Sequence, residues 1–405
     1  MRVLLAHNHY QVSGGAEFFY LEVGRVLEKM GHQVAYFSIS QEGQTTPWKQ
    51  YFPKGNEFRK KSLLKSVVGF PRMIYSRDAK DAIEKLITDF KPDVLHAFAI
   101  YLELTPSILD AAKAANVRIL MSCNDYKHIC PNYKLFHHGK VCEDCKGGRF
   151  FKATLNRCAH DSTIFSVAST LEAYAHEAMG IYRKNVDIFL FASEFMARKT
   201  EEFWGHETFK WRKLRNPFNP LQYEAKPCPG GYALYFGRII DEKGVNILID
   251  AALKVEQIPV IIVGDGPDLE SLEDQVKATG VTNIKFVGAK WGDELSEIIK
   301  GCRYVVVPSL WHENFPYVIL QAFAHAKPVI GTKRGGIPEM VRHRERGLLY
   351  EATDSEELAN AMRTLNSDGR LVERMGIAAR SFVESEFNDD LFYENMMRVY
   401  NEVLQ

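Results

Sequence analysis

Short apolar runs that alternate with segments of helical periodicity constrain this chain more than any other feature. The run Arg2–Ala6 is followed by a helical pattern that ends near Gly31, and then by a second apolar run at residues 33–39. Further strand candidates lie at residues 94–97, 118–121 and 188–192. A strand–helix–strand order of this kind predicts a parallel sheet with helices on both faces.

A second series of the same kind begins after Gly231. Its strand candidates lie at residues 232–236, 260–263, 284–287, 304–308 and 328–331. The turn-rich segment 213–220 predicts a domain boundary between the two series, and residues 354–405 are predicted to be helical. With 405 residues the chain is long enough for two domains. We therefore predict an α/β protein with two doubly wound, Rossmann-like domains.

Residues 311–330 contain a carboxylate, the start of a helix and a short apolar run. Glu313 stands just before the predicted helix, Asn314 is predicted to cap it, and Pro316 has the fixed φ that a first turn tolerates. A helix start attracts phosphate because it has unpaired N–H groups and the positive end of the helix dipole. A neighbouring carboxylate accepts hydrogen bonds from hydroxyl groups, such as those of a sugar. This combination predicts a site for a nucleotide sugar.

Two basic residues follow the first strand of the second series. Arg238 and Lys243 lie just beyond residues 232–236, and ligands of doubly wound sheets bind outside the carboxyl ends of the strands. Arginine offers a planar fork to phosphate oxygens, and lysine offers a mobile point charge. The pattern predicts phosphate binding, and its alternative is a pair of surface side chains in a loop.

These segments resemble the donor site of the retaining glycosyltransferases of family 4, which have the two-domain GT-B fold. In that family a Glu, seven residues and a second Glu contact the donor sugar and the nucleotide ribose. Glu313 matches the first position, whereas Gln321 departs from the pattern at the second. The carbonyl of Gln321 can still accept a hydrogen bond from one hydroxyl group.

The resemblance implies an architecture. Residues 1–215 would form an acceptor-binding domain with a cysteine-rich insertion at residues 130–158. Residues 216–384 would bind the nucleotide sugar, and residues 385–405 would return as a helix to the first domain. The two domains would face each other across a cleft.

The resemblance also implies roles for individual residues. Arg238 and Lys243 would hold the diphosphate and stabilise the leaving group, so no catalytic divalent metal is expected. Glu313 would position the donor sugar. Further donor contacts would come from Gly14, Gly15, Gly264, Gly288, Asn314, Phe315, Pro316 and Gln321. A loop at Gly335 and Gly336 resembles the final glycine loop of the family.

Asn124 and Asp125 stand where the family often has His-Asp after a strand. Asn124 can hydrogen-bond a hydroxyl group but cannot act as an acid or base near neutral pH. We predict that Asn124 and Asp125 are site residues. His128, one helical turn later, is a candidate for the missing histidine, and the alternative is a loop histidine with no ligand.

Four of the seven cysteines cluster in a polar segment that shows no core pattern. They are Cys130, Cys142, Cys145 and Cys158. In a chain expected to be cytosolic, this pattern favours metal over disulfides, and four thiolates suit a structural zinc ion. A loop without metal and an iron–sulfur cluster are the alternatives.

Charge is unevenly distributed although the net charge is zero. Residues 1–220 carry 31 Lys and Arg against 23 Asp and Glu, and residues 54–77 form a basic amphipathic stretch. Such a stretch suits an anionic membrane surface and equally a solvated helix face. No module for nucleic-acid binding accompanies it, and no apolar run approaches the ~18 residues of a membrane span. We expect a cytoplasmic protein, either free or peripheral at the inner face of the membrane.

The predicted function is transfer of a sugar from a nucleoside diphosphate sugar to an acceptor hydroxyl with retained anomeric configuration. The basic stretch favours a lipid-linked acceptor and a role in cell-surface polysaccharide or glycolipid assembly, although a soluble saccharide acceptor also fits. The alternatives are a GT-B nucleotide-sugar epimerase and a zinc-stapled scaffold that has lost catalysis. Gln321 and Asn124 motivate the last alternative, because both depart from the family pattern.

Overall fold

The computed structural model describes residues 1–12, 14–55, 70–227 and 229–405. Within these ranges the chain forms two compact units. The first unit consists of Met1–Leu135, Glu143–Pro217 and Phe392–Gln405, and the second of Phe136–Cys142 and Phe218–Leu391. Most of the basic stretch 54–77 lies outside the described residues, so its interpretation as a membrane contact stays a prediction.

The described residues contain strands and helices in regular alternation. The strands are β1 (Arg2–Ala6), β2 (Gln33–Phe37), β3 (Val94–Ala97), β4 (Arg118–Cys123), β5 (Phe136–His137), β6 (Lys140–Val141), β7 (Ile188–Phe191), β8 (Trp211–Lys213), β9 (Ala233–Phe236), β10 (Val260–Val263), β11 (Ile284–Phe286), β12 (Tyr304–Val307), β13 (Val329–Thr332) and β14 (Gly347–Tyr350). The α-helices are α1 (Gly15–Lys29), α2 (Arg77–Phe90), α3 (Ser107–Ala114), α4 (Phe151–Leu155), α5 (Thr163–Met179), α6 (Ile181–Asn185), α7 (Glu194–Trp204), α8 (Val245–Ala252), α9 (Leu269–Thr279), α10 (Gly292–Gly301), α11 (Tyr317–Ala324), α12 (Ile337–Met340), α13 (Ser355–Ser367), α14 (Gly369–Glu386) and α15 (Asp389–Leu404). Short 3-10 turns lie at Pro47–Tyr51, Pro220–Gln222 and Asp241–Lys243.

The first unit is built on a parallel sheet with the strand order β2-β1-β3-β4-β7-β8. Its central strands are continuous apolar runs because both faces of the sheet are buried. Successive side chains of a strand point to opposite faces, so Leu4 enters one hydrophobic core and Leu5 the other. Tyr400 of α15 lies in the second of these cores, and its hydroxyl oxygen is 2.8 Å from Nδ1 of the buried His96.

The second unit is built on another parallel sheet, with the order β11-β10-β9-β12-β13-β14. Its first strand, β9, has β10 on one side and β12 on the other, so the direction of winding reverses between β9 and β12. Ligands of such sheets bind outside the carboxyl ends of the strands at this reversal. The loops that follow β9 and β12 carry Arg238, Lys243 and Glu313, which places the three residues at this edge.

The two doubly wound parallel sheets predicted from the sequence are confirmed. The edge strands β8 and β14 are not among the predicted strands. β8 ends at Lys213, where the segment interpreted as a domain boundary begins. It is not predicted because its three residues, Trp-Arg-Lys, show no apolar alternation. Strands at a sheet edge are short and polar more often than central ones, so their sequence pattern is weak.

The segment between the cysteines is structured, which corrects the prediction of a polar loop without a core. β5 and β6 pair as an antiparallel hairpin, and α4 follows. Phe136 packs against Leu310 and Ala352 within the second unit. Phe150 and Ala153 are buried in a small cluster of the first unit. Phe136 and Phe150 each belong to a short apolar pair in a segment that is otherwise rich in Gly and Lys, so no periodic pattern reveals them.

Candidate active site

A buried carboxylate anchors the site of the second unit. Lys243 Nζ donates a hydrogen bond to Glu313 Oε1 over 2.6 Å, and Ser309 Oγ donates to the same oxygen over 2.7 Å. Lys243 also lies 5.3 Å from the centre of the Trp311 ring, which gives the ammonium group a second favourable contact. The sequence analysis predicts Lys243 and Glu313, whereas Ser309 and Trp311 are new members of the cluster.

The surroundings of Glu313 keep it ionised. Burial on its own would raise the pKa of this carboxyl group. The charge of Lys243 and the hydrogen bonds from Lys243 and Ser309 outweigh burial, so the pKa lies below its ordinary value. A carboxylate that is ionised at neutral pH accepts hydrogen bonds from hydroxyl groups.

Arg238 differs from its neighbour Lys243 in its contacts. Its side chain is exposed, and it forms no ion pair with any carboxylate in the described ranges. Its backbone carbonyl accepts a hydrogen bond from the Tyr235 hydroxyl over 2.6 Å, which fixes the loop after β9. The guanidinium group is therefore available to an external anion.

Backbone hydrogen bonds join the loops along this edge of the sheet. Gly237 N–H donates to Val263 O over 3.0 Å, and Gly264 N–H donates to Gly288 O over 3.0 Å. A Cβ atom on Gly264 would lie 1.9 Å from Gly237 O. Only glycine permits this approach, so the packing of the two loops requires a glycine at position 264 whether or not Gly264 contacts a ligand. Gly288, by contrast, faces open space.

A second close approach holds the backbone of Glu313. Gly336 N–H donates to Glu313 O over 2.7 Å. Gly335 has φ of +56°, and a Cβ atom there would lie 2.1 Å from Glu313 O. The glycine loop after β13 therefore fixes the position of Glu313 through contacts with its backbone carbonyl.

The start of α11 differs from the prediction in one respect. Pro316, with φ −71° and ψ 120°, occupies the N-cap position and provides no side-chain cap, so Asn314 is not the N-cap residue. The side chain of Asn314 is buried, and Phe315 is buried against Phe387 at 5.9 Å between ring centres. Gln321 is half-buried within α11.

In the first unit, α1 begins at Gly15 directly after a glycine N-cap. Gly14 has extended backbone angles and no side-chain cap, and both glycines are exposed. The first amides of this helix are therefore accessible, as the prediction of a glycine loop over phosphate requires. His7 directly follows β1 and is buried, which lowers its pKa to about 4.

Asn124 and Asp125 follow β4. Nδ2 of Asn124 is buried and has no hydrogen-bond partner among the described residues. Asp125 Oδ1 accepts from the Lys127 backbone N–H over 2.9 Å. Burial raises the pKa of Asp125 to about 6, although the backbone N–H and charge of Lys127 and a hydrogen bond from Tyr101 act in the opposite direction.

His128 has structural partners. It is buried, its Nε2 lies 2.8 Å from the Thr200 hydroxyl, and its ring packs edge-to-face on Trp204. Burial lowers its pKa to about 3, so it is neutral at physiological pH. These contacts favour the alternative of a packed histidine over the replacement of a site histidine.

The four cysteines of the predicted metal site are buried or half-buried. Cys130 Sγ donates to Asn132 Oδ1 over 3.0 Å, and Cys145 and Cys158 lie in one small cluster. For the three that belong to the first unit, Cys130, Cys145 and Cys158, the sulfur atoms do not all lie within 4.8 Å of one another in the described structure. This arrangement lacks the close convergence of a formed tetrahedral site, and zinc stays a prediction.

The two parallel α/β sheets define the class of fold. Sucrose-phosphate synthase from Thermosynechococcus elongatus superposes with a TM-score of 0.72 at 17% identity, over 99% of this chain and 98% of that one. HepE from Anabaena, solved in complex with UDP, superposes with a TM-score of 0.65 at 17% identity, over 99% of this chain and 100% of that one. The fold is that of the GT-B glycosyltransferases.

The sequence of the second unit is similar to a known family. Residues 224–382 match the family described as glycosyl transferases group 1. The sulfoquinovosyl transferase SQD2 of Arabidopsis thaliana is 28% identical over 307 residues, which are 74% of this chain and 54% of that protein. The chain spans about half the length of the curated relatives it matches.

Proposed function

We propose that this chain is a retaining glycosyltransferase that moves a sugar from a nucleoside diphosphate sugar to an acceptor hydroxyl. The observation that carries the proposal is the Lys243–Glu313 pair at the carboxyl edge of the second sheet. The exposed Arg238 beside it supports the assignment, because it has no carboxylate partner in the described ranges.

Each member of the cluster has a role that its chemistry supports. Lys243 has three N–H donors and uses one on Glu313, so it retains donors for the departing diphosphate. Arg238 offers its fork to the same phosphate oxygens. Glu313 is fixed at Oε1 by two hydrogen bonds and would accept donor hydroxyl groups. Two cations at the leaving group remove the need for a divalent metal there.

The identity of the nucleotide is proposed from the solved relative. HepE is described in complex with UDP and with UDP-glucose, so UDP is the first nucleotide to test. Donor binding is assigned to residues 216–384, acceptor binding to residues 1–215, and residues 385–405 are proposed to return to the first domain. Asn124 is proposed to donate a hydrogen bond to the donor sugar or to the acceptor, because its buried side-chain N–H groups have no partner in the described structure.

The acceptor, the place where the protein acts and a metal at the cysteine cluster are proposed from the sequence. A saccharide acceptor, lipid-linked or free, fits a role in cell-surface polysaccharide or glycolipid assembly. Within the described ranges, no helix has both the length and the apolar composition that crossing a bilayer requires. A structural zinc ion on Cys130, Cys142, Cys145 and Cys158 would require local rearrangement, and elemental analysis of the native protein tests it.

Product analysis tests the proposed reaction. The protein is incubated with UDP-glucose and other UDP-sugars, with and without a panel of saccharide acceptors, and the products are separated by mass and by anomeric NMR signals. We expect a glycoside of unchanged anomeric configuration together with free UDP. An isomerised nucleotide sugar without acceptor would support the epimerase instead, and binding without any turnover would support the inactive scaffold.

A further inference from the structure

Helix α5 presents its polar residues to the interior and its apolar residues to solvent. Its buried polar residues are Ser166, Thr170, Glu172 and His176. Its exposed residues include four large apolar side chains with exposed fractions of 38–55%, namely Ile164, Val167, Leu171 and Tyr174. These four follow the period of one helix face. A helix on a water-exposed surface normally has the opposite arrangement.

The polar groups on the inner face are held in place by specific partners. Glu172 accepts a hydrogen bond from Lys127 Nζ over 2.6 Å. His176 Nε2 lies 2.7 Å from the carbonyl oxygen of Ile74. The Thr170 hydroxyl accepts a hydrogen bond from the Thr154 hydroxyl over 2.9 Å. These bonds fix the rotation of α5 about its axis, so its apolar face stays on the outside.

The apolar surface continues onto the short helix α4. Phe151 and Leu155 are 46% and 67% exposed. The Phe151 backbone N–H donates to the Tyr174 hydroxyl over 3.2 Å, so the two helices lie side by side. We call the six exposed side chains of α4 and α5 the apolar face. A contiguous exposed apolar area on a folded protein commonly marks a surface that contacts another apolar phase or a partner.

Basic residues border the apolar face. Residues 145–171 contain four basic side chains and a single acidic one, Asp161. Arg149, Lys152 and Arg157 form no ion pair with a carboxylate in the part of the chain that the structure describes. Lys152 Nζ lies 5.6 Å from the ring centre of Phe151, at the border between charge and apolar surface.

We propose that α4 and α5 form a docking surface for the anionic face of a lipid bilayer. The apolar side chains would enter the boundary between headgroups and acyl chains, and the basic side chains would contact lipid phosphates. A second copy of the chain fits less well, because a two-fold interface would bring the same basic border against itself. The proposal concerns where the enzyme is held and goes beyond the proposed reaction.

The described end of the basic stretch 54–77 supports the same surface. Met73 is buried against Ala168 of α5, with Phe70 beside them. The side chain of Arg72, in the same segment, is 65% exposed and pairs with the similarly exposed Asp78 over 3.5 Å. The stretch that the sequence analysis assigns to an anionic surface therefore ends against the helix that carries the apolar face.

Vesicle sedimentation of the full chain tests the proposal. One set of vesicles is pure phosphatidylcholine, and the other is equal parts phosphatidylcholine and phosphatidylglycerol. We expect binding to the anionic vesicles that weakens with salt, and little binding to the neutral ones. The double variant Ile164→Ser, Leu171→Ser should lower the bound fraction at least tenfold. Ile377→Ser is the matched control, because Ile377 is 51% exposed on α14 of the second unit.

Three results would overturn the proposal. Unchanged binding of the double variant would assign any membrane contact to another part of the chain. Equal binding to neutral and anionic vesicles would remove the role of the basic border. A dimer in solution that the double variant dissociates would assign the apolar face to a second copy. UDP binding by the same variants is measured in parallel, so a failure of the docking proposal stays separate from a failure of the proposed reaction.

Discussion

Two lysine–glutamate pairs among the described residues have the same length but different surroundings. Lys243 and Glu313 are 2.6 Å apart, with side chains 21% and 7% exposed, and Lys127 and Glu172 are also 2.6 Å apart, with side chains 6% and 0% exposed. Lys127 donates a second hydrogen bond, to Pro131 O over 3.0 Å. Lys243 has no second hydrogen bond among the described residues.

This difference separates a binding pair from a structural pair. Lys127 uses its donors within the protein, and its partner lies on the inner face of α5. Lys243 keeps donors for a ligand, is partly open to solvent and stands at an edge with Arg238. A buried ion pair is therefore insufficient to indicate a site, and unused hydrogen-bonding capacity at an accessible edge is the more informative property.

The largest expected effect comes from breaking the structural pair. Lys127→Ala leaves the Glu172 carboxylate buried without its cation, so we expect a loss of about 3–5 kcal/mol in the free energy of unfolding. Urea denaturation followed by tryptophan fluorescence measures it. The matched variant Lys254→Ala, which breaks the exposed pair with Glu356 in the second unit, should cost less than about 1 kcal/mol. Equal losses in the two variants would contradict the structural assignment.

The second largest effect is expected on turnover, from replacing the carboxylate of Glu313. Glu313→Gln keeps the size of the side chain but removes its charge. The hydrogen bonds that the side chain accepts from Lys243 and from donor hydroxyl groups therefore become weaker. We expect turnover to fall roughly 100- to 1,000-fold with little change in stability. Initial rates of UDP release with acceptor measure the effect. Glu356→Gln is the control, and wild-type turnover of Glu313→Gln would remove the carboxylate from the site.

A third effect concerns the loop behind Glu313. Gly335→Ala places a methyl group against Glu313 O at a φ of +56°, so we expect lower turnover and a loss of roughly 1–3 kcal/mol in stability. Gly280→Ala is the control, because Gly280 also has positive φ but has open space around it. If both variants lose the same stability and neither loses turnover, the close approach has no role in positioning Glu313.

The smallest expected effect is the pH dependence of Asp125. Because burial raises its pKa to about 6, the folded protein holds this proton more tightly than the unfolded chain does. Its contribution to stability is therefore present at pH 4 and is lost as pH rises through about 6, by roughly 1–3 kcal/mol at most. Asp125→Asn imitates the protonated group.

The measurement for Asp125 is a difference between two proteins, because buried histidines also change stability over this range. We expect the stability of Asp125→Asn relative to wild type to rise between pH 5 and pH 7.5. A relative stability that is constant over this range would show that Asp125 has an ordinary pKa in the folded protein.

The sequence predicts the second unit better than the first for a physical reason. Lys243 and Glu313 follow strands whose apolar runs are unmistakable, and parallel strands bring their carboxyl ends together. Ser309 could also have been predicted, since it stands in the same loop four residues before Glu313. The helix begins two residues later than a cap at Asn314 would place it, with Pro316 as the N-cap residue, and helix ends are the least predictable part of an element.

In the first unit the pairing of Lys127 with Glu172 joins a loop to the middle of a helix, 45 residues away. No local pattern encodes such a contact. Periodicity is misleading for α5, because Ile164, Val167 and Leu171 have the spacing of a buried face and are exposed. A sequence pattern identifies which residues share a face, and only the packing decides which face is inside.

Nucleotide binding by the two cations tests the central claim most directly. UDP, GDP, ADP and TDP are each titrated calorimetrically into the wild type, and the nucleotide that binds is then titrated into Arg238→Ala, Lys243→Ala and the control Lys254→Ala. The account predicts that one of these nucleotides binds the wild type and the control equally. It also predicts that each cation variant binds that nucleotide at least tenfold more weakly. Undiminished binding by Arg238→Ala and Lys243→Ala, or no binding of any nucleotide to the wild type, would contradict the account.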